Sequence, residues 1–299
     1  MSVLITGATG FVGQNLVNYF ENEGIAFRPT SLRNQVSKTP DDVTVIIHLA
    51  GLAHDLRKVN DEEAYFDINV GLTKKLYQAF IDSNAHTFIF LSSIKAACDK
   101  PGKTILEESY VPNPQTPYGR SKLRAEEELQ KLHKKGTRLI ILRPCMIHGP
   151  GNKGNLNTLF KLIKVGIPFP FGAFHNQRSY LGVRNLCFII GEIIRQETIA
   201  SGVYHVADDN PFSTIEIVEL LYKQFGKKGR IWNVSSQFIK SAFRMGDKLG
   251  LPLNTESLDK LTGDFVVSNV KLKTAIGKDL PFSAEDGFTL TFQSFENEK

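Results

Sequence analysis

The sequence predicts an α/β fold: a doubly wound parallel sheet followed by a smaller mixed lobe. Three observations carry that reading. Short apolar runs alternate with longer amphipathic stretches from Ser2 to Pro144. Two of the runs, in "DDVTVIIHLAG" and "TFIFLSS", are apolar throughout, as strands covered on both faces of a parallel sheet must be. The first run ends in a glycine-rich turn that leads directly into a helical pattern.

Taken in order, "SVLIT" is a β-branched first strand, and "GFVGQNLVNYFENEG" is a helix with Leu16, Val17 and Phe20 on one face and Gly24 as its C-cap. "IAFRPTSLR" reads as a second strand and "DDVTVIIHLAG" as a third. "EEAYFDINVGLTKKLYQAFIDSN" is a long helix, "TFIFLSS" a strand, "YGRSKLRAEEELQKLHKKG" a helix ending in basic residues, and "RLIILRP" a strand. Such alternation implies right-handed crossovers between parallel strands. Beyond Pro150 the pattern loosens: "GPGNKGN" and "GIPFPFG" read as loops with shorter elements after them. Residues 151–299 are therefore expected to form mainly a ligand-binding lobe, interleaved with the last sheet elements, so that no clean boundary separates it from 1–150.

Composition excludes several classes. The chain has 299 residues, 41% hydrophobic and 22% charged, and no apolar run long enough to span a bilayer. The first strand begins at once, so no signal peptide is expected. Cys98, Cys145 and Cys187 are odd in number and widely spaced, which suits reduced thiols in a cytoplasmic protein and neither a disulfide framework nor a metal site. The net charge is +5 with lysines and arginines scattered along the chain, so no nucleic-acid partner is expected, and without a spanning run no membrane partner is expected either.

"TGATGFVG" sets Gly7, Gly10 and Gly13, with Phe11 and Val12 between, at the junction of first strand and first helix. Glycines there let the backbone approach a pyrophosphate that rests on the helix N-terminus, the arrangement of a dinucleotide-binding Rossmann domain over residues 1–150. No acid occurs between Glu23 and Asp41 to bind the adenosine ribose diol; Ser31 and Arg33 stand there instead. A hydroxyl and a guanidinium suit a 2′-phosphate, which favours NADP, with NAD the alternative. Downstream, "TPYGRSK" places Tyr118 and Lys122 four residues apart, on one helical face.

Together these stretches resemble the extended short-chain dehydrogenase/reductase family, in its NAD-dependent epimerase/dehydratase, nucleotide-sugar 4-epimerase or 4-ketoreductase branch. The resemblance rests on "TGATGFVG", "HLAG" at His48–Gly51, "NV" at Asn69–Val70, "FLSS" at Phe90–Ser93, "YGRSK" at Tyr118–Lys122, "LRP" at Leu142–Pro144, "HGPG" at His148–Gly151 and "NQRSYLGVRNL" at Asn176–Leu186, in that order and spacing. It implies a catalytic set of Ser93, Tyr118 and Lys122. It also implies a cofactor site that includes Leu49, Ala50, Gly51, Asn69, Ser92 and Pro144. For a nucleoside-diphosphate sugar substrate it points to Arg178 on the diphosphate, Asn155 and Leu156 along the nucleotide pocket, Phe171 on the base, and His54 with Ser93 and Tyr118 at the sugar.

Tyrosine ordinarily ionises near ~10, and the Lys122 ammonium with an oxidised nicotinamide is expected to lower that value. The sequence departs from the family in three places. Nine residues between Arg33 and Val43 leave no room for a further strand and helix, Met146 stands where asparagine is frequent, and His148 where tyrosine is frequent. Ser92-Ser93-Ile94-Lys95 lacks the acidic pair of the dehydratases, so dehydration is not expected. Reduction of a 4-keto sugar nucleotide is the reading taken, with a 4-epimerase that retains its NAD as the alternative and a non-catalytic cofactor-binding regulator as a third. The resemblance also implies a homodimer through residues 62–83 and 118–135, with Tyr65, Leu76, Tyr77 and Phe80 as apolar material.

Overall fold

Parallel pairing organises the chain. In the computed structural model, which describes residues 2–32, 38–52, 62–250 and 254–297, six parallel strands form one sheet in the order β2-β1-β3-β4-β5-β8. The elements are β1 (Ser2–Thr6), α1 (Phe11–Asn22), β2 (Phe27–Thr30), β3 (Val43–His48), α2 (Glu62–Phe66), α3 (Thr73–Ile81), β4 (Thr87–Leu91), α4 (Pro117–Lys131), β5 (Arg138–Pro144), β6 (Met146–His148), α5 (Asn155–Val165), β7 (Tyr180–Gly182), α6 (Val183–Arg195) and β8 (Gly202–Val206). Then come α7 (Thr214–Gln224), α8 (Ser236–Lys248), α9 (Thr255–Thr262), α10 (Val270–Ile276) and α11 (Ala284–Asn297). A two-stranded sheet pairs β6 with β7.

The fully apolar strands divide their side chains between two cores, because successive residues point to opposite faces. Val3, Ile5, Val45, Ile47, Ile89, Ile140 and Leu142 pack with α1 and α6 on one face. Leu4, Ile46, Phe88, Phe90, Leu139 and Ile141 pack with α3 and α4 on the other. A third core, built from α5, α7 and α11 around Phe160, Leu221, Phe288 and Phe292, holds the second lobe. Tyr65, Leu76, Tyr77 and Phe80 are all buried within the protomer, so core packing accounts for the apolar side chains expected at a dimer face.

Two elements differ from expectation. The second strand, expected over residues 25–33, is described as Phe27–Thr30 at the sheet edge, where Pro29, which has no N–H to donate, is tolerated. Among the described residues no strand pairs with its outer side, in keeping with the short segment before Val43. The helix expected over 62–84 is interrupted by a π-helical turn, Asp67–Leu72, between α2 and α3. Such turns recur at functional sites, and this one carries Asn69.

Three histidines are buried as neutral groups. Burial drives His48 to about 3, His148 to about 3 and His205 to about 4. Below the unfolded value near ~6.5 the unfolded chain takes up protons that the folded chain refuses, so these groups lose stability as pH falls. Asp208, pushed up to about 6 by its own burial, works in the opposite direction and cancels one of the three. The net uptake of two protons predicts a stability loss of about 3 kcal/mol between pH 6 and pH 5. Urea titrations at the two pH values check it; equal midpoints would refute it.

Candidate active site

The sheet order reverses between β1 and β3, since the chain leaves β1 for β2 on one side and returns to β3 on the other. Ligands in open parallel sheets bind in the crevice at such a point, beyond the carboxyl ends of the strands. Thr6 and His48, the last residues of β1 and β3, are register partners at its floor. Gly7 turns away with φ of +74°, and a Cβ there would lie 2.6 Å from the Ala50 nitrogen. The Gly10 nitrogen donates to the Gly7 carbonyl at 3.0 Å, and a Cβ on Gly13 would run into that same carbonyl. Phe11 and Val12 open α1 half-buried, Phe11 against the loop that holds Gly149 and Gly151.

The N-terminus of α1 has no side-chain cap and no acid in its first turn. A backbone cradle that a methyl group would fill, at an uncapped 12-residue helix, fits a pyrophosphate. Gly7→Ala is expected to weaken cofactor binding roughly tenfold, from the ~1–2 kcal/mol that an L-residue incurs at positive φ. Fluorescence titration with NADH and NADPH measures it, and unchanged affinity would refute the assignment.

Beneath the turn the hydrogen bonds fix proton positions. The Thr73 hydroxyl donates to the Asn69 carbonyl at 2.7 Å, so it accepts from His48 Nε2 at 2.8 Å. His48 Nδ1 then carries no proton and accepts from the Thr6 hydroxyl at 2.7 Å. This relay ties β1, β3 and the π-helical turn together. Asn69 closes the same junction: its Oδ1 accepts from the Leu52 nitrogen at 2.8 Å, and its Nδ2 donates to the Leu52 carbonyl at 3.2 Å and to Ser121 Oγ at 3.0 Å.

The expected catalytic set converges beyond β4. Ser93 is extended and its hydroxyl accepts from the Lys95 nitrogen at 3.2 Å. The Tyr118 and Ser93 side chains are hydrogen-bonded to each other, and the Tyr118 ring packs edge-on against Tyr65 with centroids 6.1 Å apart. Helix α4 begins where it does because the Asp99 carboxylate accepts from the nitrogens of Gln115 at 2.6 Å and Thr116 at 3.0 Å, while Thr116 caps the Gly119 nitrogen. One turn on, Lys122 is buried; its Nζ donates to the Leu91 carbonyl at 3.0 Å and lies 4.9 Å from the Phe90 ring centroid. A Cβ on Gly51 would lie 3.2 Å from that ammonium, so the backbone after β3 passes directly beside it.

Burial dominates the electrostatics of the cluster. Burial raises the Tyr118 hydroxyl above its ordinary value, with the Ser93 bond opposing and Tyr65 adding. The lowering expected from the sequence belongs to the site with an oxidised nicotinamide in place; in the chain by itself the Lys122 ammonium donates to the Leu91 carbonyl. In the chain by itself the Tyr118 hydroxyl therefore keeps its proton at neutral pH. Burial lowers Lys122 to about 8, and the Glu126 carboxylate holds it from falling further.

Glu126 and Arg143 were not singled out from sequence. Arg143 Nε donates to both Glu126 oxygens at 3.0 and 3.1 Å, and its Nη2 donates to Oε2 at 2.6 Å. The Ser92 hydroxyl donates to the same carboxylate. The available signal was position: Glu126 is one turn beyond Lys122, and Arg143 sits inside the "LRP" stretch.

The substrate-side residues are more dispersed. Arg178 is half-buried, donates to the Gly263 carbonyl at 3.0 Å, and stacks over Phe265 at 5.8 Å. Lys95 lies over the same ring at 5.0 Å and donates to the Asp99 carbonyl at 2.8 Å. Two cations thus converge on one ring near Ser93. Phe171 is half-buried among Phe169, Phe174 and Phe243, Leu156 belongs to the third core, and Asn155 is exposed at the start of α5. Leu49 and Ala50 are half-buried beside the glycine turn, Pro144 is buried at the end of β5, and Ser31 is exposed after β2. Arg33 and His54 lie outside the described residues. Met146 is half-buried in β6, whereas His148 stacks on Phe288 with centroids 4.2 Å apart.

Comparison with known proteins agrees with this geometry. The profile of the NAD dependent epimerase/dehydratase family matches residues 3–207. A UDP-glucose 4-epimerase of Vibrio cholerae is 31% identical over 98% of this chain and 95% of its own. An N-acetyl-α-D-glucosaminyl-diphospho-ditrans,octacis-undecaprenol 4-epimerase of Escherichia coli O157:H7 is 28% identical over 76% of this chain and 73% of its own. The structure of a UDP-glucuronic acid 4-epimerase from Bacillus cereus in complex with NAD superposes with a TM-score of 0.77 at 19% identity, covering 100% of this chain and 97% of that one, and so shares the fold. Placed beside the glycine cradle and the Ser–Tyr–Lys cluster, these matches show that the chain belongs to the NAD dependent epimerase/dehydratase family.

Proposed function

We propose that the chain transfers hydride between a nicotinamide cofactor and position 4 of a nucleoside-diphosphate sugar. The observation that carries this is the hydrogen-bonded Ser93–Tyr118 pair one helical turn from a buried ammonium, at the mouth of the glycine cradle. When bound, the cofactor supplies or accepts the hydride. Gly7, Gly10, Gly13 and the first turn of α1 would hold its pyrophosphate, and Lys122, beside Gly51, its nicotinamide ribose. Ser93 orients the oxygen on the reacting carbon, and Tyr118 moves the proton on and off that oxygen. Arg178 and Lys95 present two positive charges for the diphosphate.

Net reduction of a 4-keto sugar is favoured by the segment after β2, which has no acid before Asp41 and suits exchangeable NADPH. Epimerisation is the second reading, favoured by the likeness to the Vibrio cholerae 4-epimerase over nearly the whole chain. Purified protein is to be assayed with each nicotinamide cofactor against UDP-glucose, a 4-keto-6-deoxy sugar nucleotide and a polyprenyl-diphospho-N-acetylglucosamine. Consumption of added NADPH with the keto sugar supports reduction. Interconversion of 4-epimers without added cofactor, with oxidised nicotinamide released on denaturation, supports epimerisation. No turnover of any of these would count against the proposal.

A further inference from the structure

The second lobe carries an unusual surface. On the last turns of α5 and just beyond, Leu162, Val165 and Ile167 are exposed, Val165 by 79%. On the segment from residue 227 through α8, Trp232, Phe238, Met245 and Leu249 are exposed by 58%, 71%, 59% and 65%. The two segments are physically joined. Trp232 N donates to the Phe169 carbonyl and Phe169 N to the Arg230 carbonyl, both at 2.8 Å, while Lys227 Nζ reaches the Lys164 carbonyl at 2.7 Å. Helix α8 is attached next to them through Phe171 and Phe243, with ring centroids 6.0 Å apart.

Along α8 the positions Phe238, Ala242, Met245 and Leu249 follow the i, i+4, i+7, i+11 spacing of a single face, and all four are exposed. Ile239 and Gly246, on the neighbouring line, are the residues buried against the lobe. The helix thus spends one narrow line on its own core and leaves a second apolar line uncovered.

Charge is concentrated in the same place. Lys161 and Lys164 in the first segment, and Lys227, Lys228, Arg230, Lys240, Arg244 and Lys248 in the second, are all exposed, and Asp247 is the one acid among residues 161–167 and 227–249. Eight of the 36 lysines and arginines lie here with one of the 31 acids, so the remainder of the chain, with 28 against 30, is slightly acidic. The basic residues that looked scattered along the sequence are gathered by the fold.

We propose that this face docks the protein peripherally on an anionic lipid surface. Apolar side chains on one side of an amphipathic helix enter the headgroup boundary, and lysine and arginine stems extend their charges to the phosphates. A second copy of the chain fits less well, because a self-complementary contact would press eight cations against eight. The expectation of no membrane partner rested on spanning segments, and no helix among the described residues is long and apolar enough to cross a bilayer; a surface-bound helix is a different case.

Trp232 is the chain's one tryptophan and lies inside the proposed contact, so its emission reports docking directly. The protein is to be mixed with vesicles of phosphatidylglycerol and phosphatidylcholine, and with phosphatidylcholine alone, and followed by emission and by co-sedimentation. The expected result is a blue shift and co-sedimentation with the anionic vesicles only, reversed by high salt. Triple substitution Phe238→Ser, Met245→Ser, Leu249→Ser abolishes the shift, and Lys240→Glu, Arg244→Glu and Lys248→Glu each weaken binding by about fivefold. All these side chains are exposed, and circular dichroism with cofactor titration establishes that the variants fold. No shift and no co-sedimentation, equal binding to phosphatidylcholine, or binding unaffected by the triple substitution would each overturn the proposal. So would concentration-dependent self-association, or nucleic-acid binding, that the same substitutions abolish in the absence of vesicle binding.

Discussion

Tyr118→Phe is expected to lower kcat by about 10²–10⁴-fold while KM changes little. The phenol is the one hydroxyl in the cluster with a hydrogen-bonded serine on one side and an ammonium one helical turn away. Removing its oxygen deletes the proton donor but leaves the ring, which continues to pack edge-on against Tyr65. The glycine turn and Arg178, the groups proposed to bind cofactor and substrate, are untouched, which is why the loss is expected to fall on turnover. Steady-state kinetics on the best substrate from the sugar panel measure it. Turnover within tenfold of the unsubstituted protein would remove Tyr118 from the proton-transfer step and favour the regulator reading. Ser93→Ala is a useful companion, since it removes only the orienting bond and should cost less than the tyrosine.

Arg143→Met is expected to destabilise the fold by about 3–5 kcal/mol. Its guanidinium is almost wholly buried and grips both oxygens of Glu126, itself 1% exposed. Substitution leaves an unpaired carboxylate in the interior with Ser92 as its remaining hydrogen-bond donor. The paired substitution Arg143→Met with Glu126→Met should recover most of the stability, because removing both charges also removes their desolvation penalty. It should not recover the pH dependence. Glu126 is the charge that opposes the lowering of Lys122, which stands at about 8 with it in place. Without Glu126 the ammonium loses its proton at lower pH, so the alkaline fall in activity moves to lower pH. Urea titration separates the first effect and a pH–rate profile the second. An unchanged alkaline limb in the double variant would show that Glu126 serves the fold alone.

Much of the architecture follows from local sequence. "RLIILRP" is the strand β5 over the residues expected, and the alternating inward and outward positions of each apolar run separate two cores because strand side chains alternate by necessity. The glycine turn, Ser93, Tyr118 and Lys122 were legible because each is fixed by spacing within one strand–turn or one helical turn. The start of the tyrosine–lysine helix is anchored from outside it, by Asp99, seventeen residues before Thr116.

What the sequence did not contain is anything that depends on groups brought together from distant positions. Glu126, Arg143 and Ser92 share one carboxylate across three elements. Thr6, His48 and Thr73 form a relay across 67 positions, and its tautomer is settled only by which hydroxyl has already given its proton to a carbonyl. The burial that raises Tyr118 in the chain by itself was likewise not readable, since desolvation is a property of the surroundings. The sequence by itself determined the parallel sheet and the glycine turn after its first strand, through periodicity and glycine placement, and it marked Ser93, Tyr118 and Lys122 as the candidates for proton handling through the family resemblance. The tertiary structure decided which charges are buried together, which way Lys122 points, and that the exposed basic and apolar segments 161–167 and 227–249 lie side by side, because burial and electrostatic neighbours are set by packing between segments far apart in the chain.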